Sequence, residues 1–134
     1  MTAIQNPVQK PATKTATFDD LIADFNKIRS LYTVDDPLEA FKLIIEEAEM
    51  VSLILEAHSK IREIFPGEKL ALEVTTDPEI AGWRSLWIAI YTKLEVDEAL
   101  EKLTILDDTW WLDNITTVTK SKLHINLAWE SDEI

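Results

Sequence analysis

The 134-residue sequence contains no cysteine, two glycines and two histidines. Without cysteine there can be no disulfide, no thiolate nucleophile and no sulfur-ligated zinc. Two glycines leave no P-loop and no dinucleotide fingerprint, and no G-x-S-x-G elbow is present. Bases are scarce beside acids: 13 lysines and arginines face 25 aspartates and glutamates, a formal net charge of -12. An acidic surface repels phosphate backbones and anionic lipid, so neither direct nucleic-acid binding nor membrane adhesion is expected. No apolar run approaches the ~18 residues of a bilayer span, and the N-terminus has no signal-peptide core, so a cytoplasmic location is expected.

What is present is the composition of one soluble globular domain, 46% hydrophobic and 28% charged. Residues 1–17 stand apart. They hold no acid and no aromatic, two prolines and two lysines, and read as a flexible tail or an arm that orders on a partner. Residues 18–130 read as a single α+β domain, and 131–134 as a short acidic tail.

Within the domain, Thr17 and Asp20 form a capping-box pattern ahead of the helical stripe Phe18, Leu21, Ile22, Phe25 and Ile28. Asp36, Pro37 and Glu39 mark a second start, with Asp36 as cap and Glu39 where a capping box places an acid. The stripe from Leu38 to Ile64 ends at Pro66-Gly67. An unbroken helix of that length would span roughly 43 Å, more than this domain needs, so the stripe reads as either one helix or two. The period then changes to two. KLALEVTT and WRSLWIAIYT read as strands joined by a turn at Asp77-Pro78 and Gly82, the second strand apolar on both faces and therefore central. A third helix is expected from about Val96 to Trp110, and KLHINLAWE as a final amphipathic strand. Residues 115–121 read as loop. The order α-α-β-β-α-β predicts a small three-stranded sheet with helices packed mainly on one face.

The segments IREIFPGEKLALEVTTDPE (61–79) and LEVDEALEKLTILDDTWWLDN (94–114), with the closing KLHINLAWE, resemble a group of small uncharacterised bacterial proteins. Those proteins share a helix ending near IREIF, a strand closing on TDPE, a WWLDN-like block and a final amphipathic strand. The resemblance covers about half of the chain, 61–130. It implies a common fold and brings no catalytic residues. It also implies an association with genes for toxin-like nucleases, and hence an antitoxin-like partner role.

Strand alternation singles out one surface. If Leu70, Leu72, Val74, Leu86, Ile88, Ile90, Leu123, Ile125 and Leu127 face the helices, the opposite face carries Glu73, Thr75, Ser85, Trp87, Tyr91, His124, Asn126 and Glu130. Large aromatics among polar groups make an interface or ligand site, unless the first helix or the tail folds over them. Trp87, Tyr91, His124, Asn126 and Glu73 are the candidate binding residues. His58 lies on the seam Val51, Ile54, Leu55, Ile61 and reads as a core or interface histidine. The acids near Trp110 and Trp111 lack an oxygen-ligand loop pattern and read as turn and cap chemistry, so no metal and no cofactor is expected. Glu46, Glu47, Glu49, Glu98 and Glu101 read as solvated helix faces, and together with Glu56, Glu63 and Glu68 they could make a negative surface that docks a basic partner. Adjacent Trp110 and Trp111 diverge by about 100° on an α-helix. Trp110, in line with Leu103 and Leu106, is therefore expected in the core, and Trp111 over an edge.

Together these readings favour a non-enzymatic acidic interaction module that binds another protein. Alternatives are a small-molecule-binding protein or minor enzyme that uses the sheet face, and a homodimer through that face.

Overall fold

A computed structural model describes residues 17–115 and 122–129. The expected tail 1–17 lies outside the described residues except for Thr17, as do residues 116–121 of the expected loop and the acidic tail 131–134. The elements in chain order are α1 (Phe18–Leu31), β1 (Thr33–Val34), α2 (Pro37–Glu46), α3 (Met50–Ile64), β2 (Lys69–Thr76), β3 (Arg84–Thr92), α4 (Val96–Leu106) and β4 (Leu123–Trp129). Between α4 and β4 the helix continues through a π turn at Asp107–Trp111 and a last α turn at Leu112–Asn114.

The α+β class holds, but among the described residues the sheet has four strands rather than three, in the order β1-β2-β3-β4. The added strand, β1, runs parallel to β2 with Thr33 opposite Ala71 and Val34 opposite Leu72. Two residues are too few to show alternation, so local pattern alone cannot find such a strand. β2 and β3 form the expected antiparallel hairpin, and β4 returns parallel to β3 after the helical crossover. In the hairpin turn the Asp77 N–H donates to Trp83 O at 2.9 Å, and Gly82 takes φ +78°, a left-handed conformation that suits glycine.

The helix starts follow their caps. Thr17 accepts from Asp20 N at 3.0 Å while the Asp20 carboxylate accepts from Thr17 N, a complete capping box. Asp36 caps α2 from a left-handed backbone (φ +54°), accepting from Glu39 N. The reciprocal half of that second box is not made. Glu39 instead pairs with Lys42 at 3.2 Å and with Arg84 on β3, tying α2 to the sheet.

The stripe 37–65 is two helices. It breaks at 47–49, where the Met50 N–H donates to Glu47 O and the Val51 N–H to Ala48 O, so that Met50 becomes fully buried. α3 ends at Ile64, two residues before Pro66, and the carbonyls at and beyond its end find cationic donors. Arg62 donates to Phe65 O and Glu68 O at 3.2 and 2.6 Å, and Lys102 of α4 donates to Ile64 O at 3.1 Å.

One core lies between the helices and one sheet face. Ile28, Ile44, Met50, Ile54, Ile61, Phe65, Leu72, Leu86, Ile88, Ile90 and Leu106 are fully buried in it. Each such side chain contributes roughly 1.5–3 kcal/mol by leaving water. Trp110 joins this core as expected. Trp111 does too, contrary to the expectation that it covers an edge: the two are 5% and 7% exposed. The π turn is the reason. The Leu112 N–H donates to Asp107 O, five residues back, so the turn holds one residue more than an α turn and narrows the angle between neighbours.

Candidate functional site

The expected sheet face exists, and β3 supplies its spine. Trp87 stands between Glu73 of β2 and His124 of β4 in the strand register, and Tyr91 lies opposite Lys69 and Ala128. The helices pack on the other side of the sheet. The core they build takes in Leu72, Leu86, Ile88, Ile90 and Leu123 but none of the residues of this face.

Two side-chain pairs organise the surface. The Trp87 and His124 rings stack with centroids 4.5 Å apart and planes tilted by 30°. The Trp87 indole N–H donates to Ser85 Oγ at 3.1 Å, which fixes its orientation. The Tyr91 hydroxyl donates to Glu73 Oε2 at 2.5 Å. That bond spans the Ala71–Ala89 pair, and both alanines are buried beneath it. The hydrogen bond to the Glu73 carboxylate, followed by desolvation and the charges of Glu73 and Asp35, pushes the Tyr91 phenol above its usual range. Tyr91 is thus a protonated donor rather than a base.

Asn126 is exposed on the same face, and its Oδ1 accepts from the Leu127 N–H at 2.8 Å. Among the described residues β4 is one of the two edges of the sheet. The Leu86 N–H donates to Lys122 O, so in the parallel ladder residue 122 and its alternates turn toward β3. Leu127 therefore turns outward, and Asn126 satisfies an N–H that would otherwise template another strand.

Three lysines border the face. Lys122 sits over the Trp83 ring at 4.2 Å, Lys69 over the Tyr91 ring at 5.2 Å, and Lys93 lines a hollow with Tyr91. Acids lie among them: Glu73 at the centre, Glu68 in the hollow with Lys93, and Asp77 near Trp83. Strand alternation puts Trp83 and Lys122 on this face, though neither is among the candidate binding residues, and it misses Lys69 and Lys93. Carrying the β3 alternation one residue beyond each end places Trp83 and Lys93 with Trp87 and Tyr91. Glu130, also expected on this face, lies outside the described residues. Two shallow depressions flank Trp87. One of about 290 Å³ is lined by Glu73, Thr75, Ala89 and Asn126, the other of about 280 Å³ by Asp77, Pro78, Trp83 and His124.

The other histidine plays a different part. His58 is half-buried, edge-on to the Tyr32 ring at 5.7 Å, on α3 and away from the sheet face. Desolvation, then the Arg62 charge, lowers its pKa below the ordinary 6.5, so it is neutral at pH 7. Among the described residues no group of three or more His, Asp or Glu converges to hold a metal ion. No described helix is long and apolar enough to cross a membrane. Comparison of the chain with protein-family models, with curated proteins and with solved structures finds no match.

Proposed function

We propose that this protein is a non-enzymatic interaction module that binds another protein through the β2-β3-β4 face. The observation that supports this most directly is the Trp87–His124 stack beside the Tyr91–Glu73 pair on a face that the helices leave aside. Aromatics held by hydrogen bonds have lost their rotamer freedom before binding, which is how interface anchors keep the cost of association low. The two depressions are shallow and at the small end of ligand-pocket volumes, which favours a protein surface over an enclosed small molecule.

Charge acts at two ranges. The net charge of -12 draws a basic partner toward the molecule and speeds encounter. At contact, the lysine border selects carbonyl and carboxylate acceptors. The partner is therefore basic overall and presents acceptor groups around an apolar centre. The likeness of residues 61–130 to proteins linked with toxin-like nucleases makes an antitoxin-like role the leading biological setting, in the cytoplasm.

The test is paired affinity capture from the native host with the wild-type chain and with Trp87→Lys, then reconstitution of the captured partner from pure components. The expected result is a basic protein held by the wild type and released by Trp87→Lys, with amide-exchange protection gained along 84–92 and 123–129. A partner that binds both chains equally, or recovery of the free chain alone, overturns the reading.

A further inference from the structure

A second apolar surface lies on the helical side of the sheet, where α1 and α2 meet. There a groove of about 290 Å³ runs between Ile22, Asn26 and Arg29 of α1 and Pro37, Leu38 and Phe41 at the start of α2. Large apolar side chains stand exposed at it: Leu38 is 64% exposed, Ile22 38%, and Phe18, whose ring meets that of Phe41, 60%. Such residues clustered on one face mark an interaction surface.

The charges of α1 indicate what fills the groove. At 100° per residue, Phe18, Asp19, Ile22, Asn26 and Arg29 fall within about 60° of one line along the helix. That line carries an acid at its N-terminal end and a base at its C-terminal end, with the apolar and amide residues between them. Asp19 and Arg29 are both exposed, and neither has an ion-pair partner among the described residues. Reversing the helix about its midpoint superposes Asp19 on Arg29 and Ile22 on Asn26. The stripe is complementary to itself run backwards, which is the condition for an isologous two-fold contact.

We infer that this groove is a homodimer contact, occupied by α1 of a second copy lying antiparallel to the first. Asp19 of each chain then pairs with Arg29 of the other. Phe18 of each reaches the far end of the other chain's groove, beside Pro37 and Leu38. With α2 alongside, the two copies form a four-helix layer. α1 is 14 residues long, about 21 Å, so the patch is at the low end of interface sizes and a micromolar dissociation constant is expected. The inference is independent of the sheet-face reading, because the two surfaces share no residue.

Sedimentation of the full chain over a concentration series from about 1 μM to about 1 mM tests it. A monomer–dimer equilibrium is expected, with Phe18→Ser and Leu38→Ser each weakening it roughly tenfold or more. Asp19→Arg alone and Arg29→Asp alone place like charges opposite each other and should weaken it too. The double variant D19R/R29D should restore the dimer to within about threefold of wild type, a rescue that follows only from the antiparallel pairing. All four positions are exposed, and unchanged far-UV circular dichroism confirms that the fold is kept. A chain that stays monomeric throughout overturns the inference, the groove then being filled by another segment or another protein. Single swaps without effect, or a double variant no better than the singles, overturn it as well. A dimer lost on Trp87→Lys and indifferent to the α1 swaps would place self-association on the sheet face instead.

Discussion

The tryptophan pair in the π turn gives the sharpest stability test. In an α-helical register one of two adjacent residues faces away from the core, and removing it would cost less than about 1 kcal/mol. In the π register both are buried, with ring centroids 5.6 Å apart. Truncating either one then costs the lost transfer energy plus the cavity left behind, about 3–5 kcal/mol each. Trp110 also donates its indole N–H to Glu56 Oε2 at 3.1 Å, but that carboxylate is exposed and water replaces the bond cheaply. A domain of this size has a total stability of about 7–20 kcal/mol, so either loss is a large fraction of it. With a urea slope of about 1.5 kcal/mol/M, Trp110→Ala and Trp111→Ala should each lower the unfolding midpoint by about 2–3 M. In a thermal scan the drop is about 12–20 °C. The two rings touch, so the double variant should deviate from additivity by about 0.5–1.5 kcal/mol. Urea unfolding followed by circular dichroism suits the measurement, since the variants alter the fluorescence baseline. A Trp111→Ala protein within about 1 kcal/mol of the parent would refute the π register and return the segment to an ordinary helix.

Two further outcomes follow from buried polar groups. Tyr32 donates its hydroxyl to Ile54 O at 2.7 Å inside the core, and burial raises its pKa, so it stays protonated. Tyr32→Phe removes the donor and should destabilise the protein by about 1–2 kcal/mol by urea unfolding; no loss would mean that the Ile54 carbonyl finds another donor. His58 should titrate below its ordinary 6.5 when followed by proton NMR. The sign then follows from linkage. The unfolded chain takes up the proton first as pH falls through 6.5, so His58 lowers stability on acidification there, and His58→Gln should flatten that limb. A midpoint at or above 6.5 would contradict the packing of His58 against Tyr32 and Arg62.

Much of this fold was legible because its signals are local. Thr17 with Asp20, Asp36 with Pro37, and Pro66-Gly67 act within one turn of chain, and the structure uses each as a cap or a stop. The alternation of Leu86, Ile88 and Ile90 against Trp87 and Tyr91 is likewise a property of one strand, so the composition of the sheet face could be read directly. Lys122 shares the face of His124 by simple alternation, but Lys69 and Lys93 were missed because they lie at the ends of two other strands, and only the register brings all three round the same aromatics. Glu39 shows the same limit within one motif. Its position suits a capping box, but Arg84, forty-five residues away in sequence, takes the carboxylate.

By itself, the sequence determined what cannot be done with these residues and where the helices and long strands start and stop. The absence of cysteine, the two glycines and the charge of -12 are facts of composition, and caps and alternation need only neighbours. Four things depended on tertiary packing: the strand at Thr33–Val34, the placing of the helix break at 47–49, the π turn that buries both tryptophans, and the pairing of α1 with α2 that opens the groove. In each the local preference is weak, worth tenths of a kcal/mol, while burying Met50, Trp111 or a two-residue backbone ladder is worth several times that. Where packing outweighs propensity by such a margin, the outcome depends on partners distant in the chain.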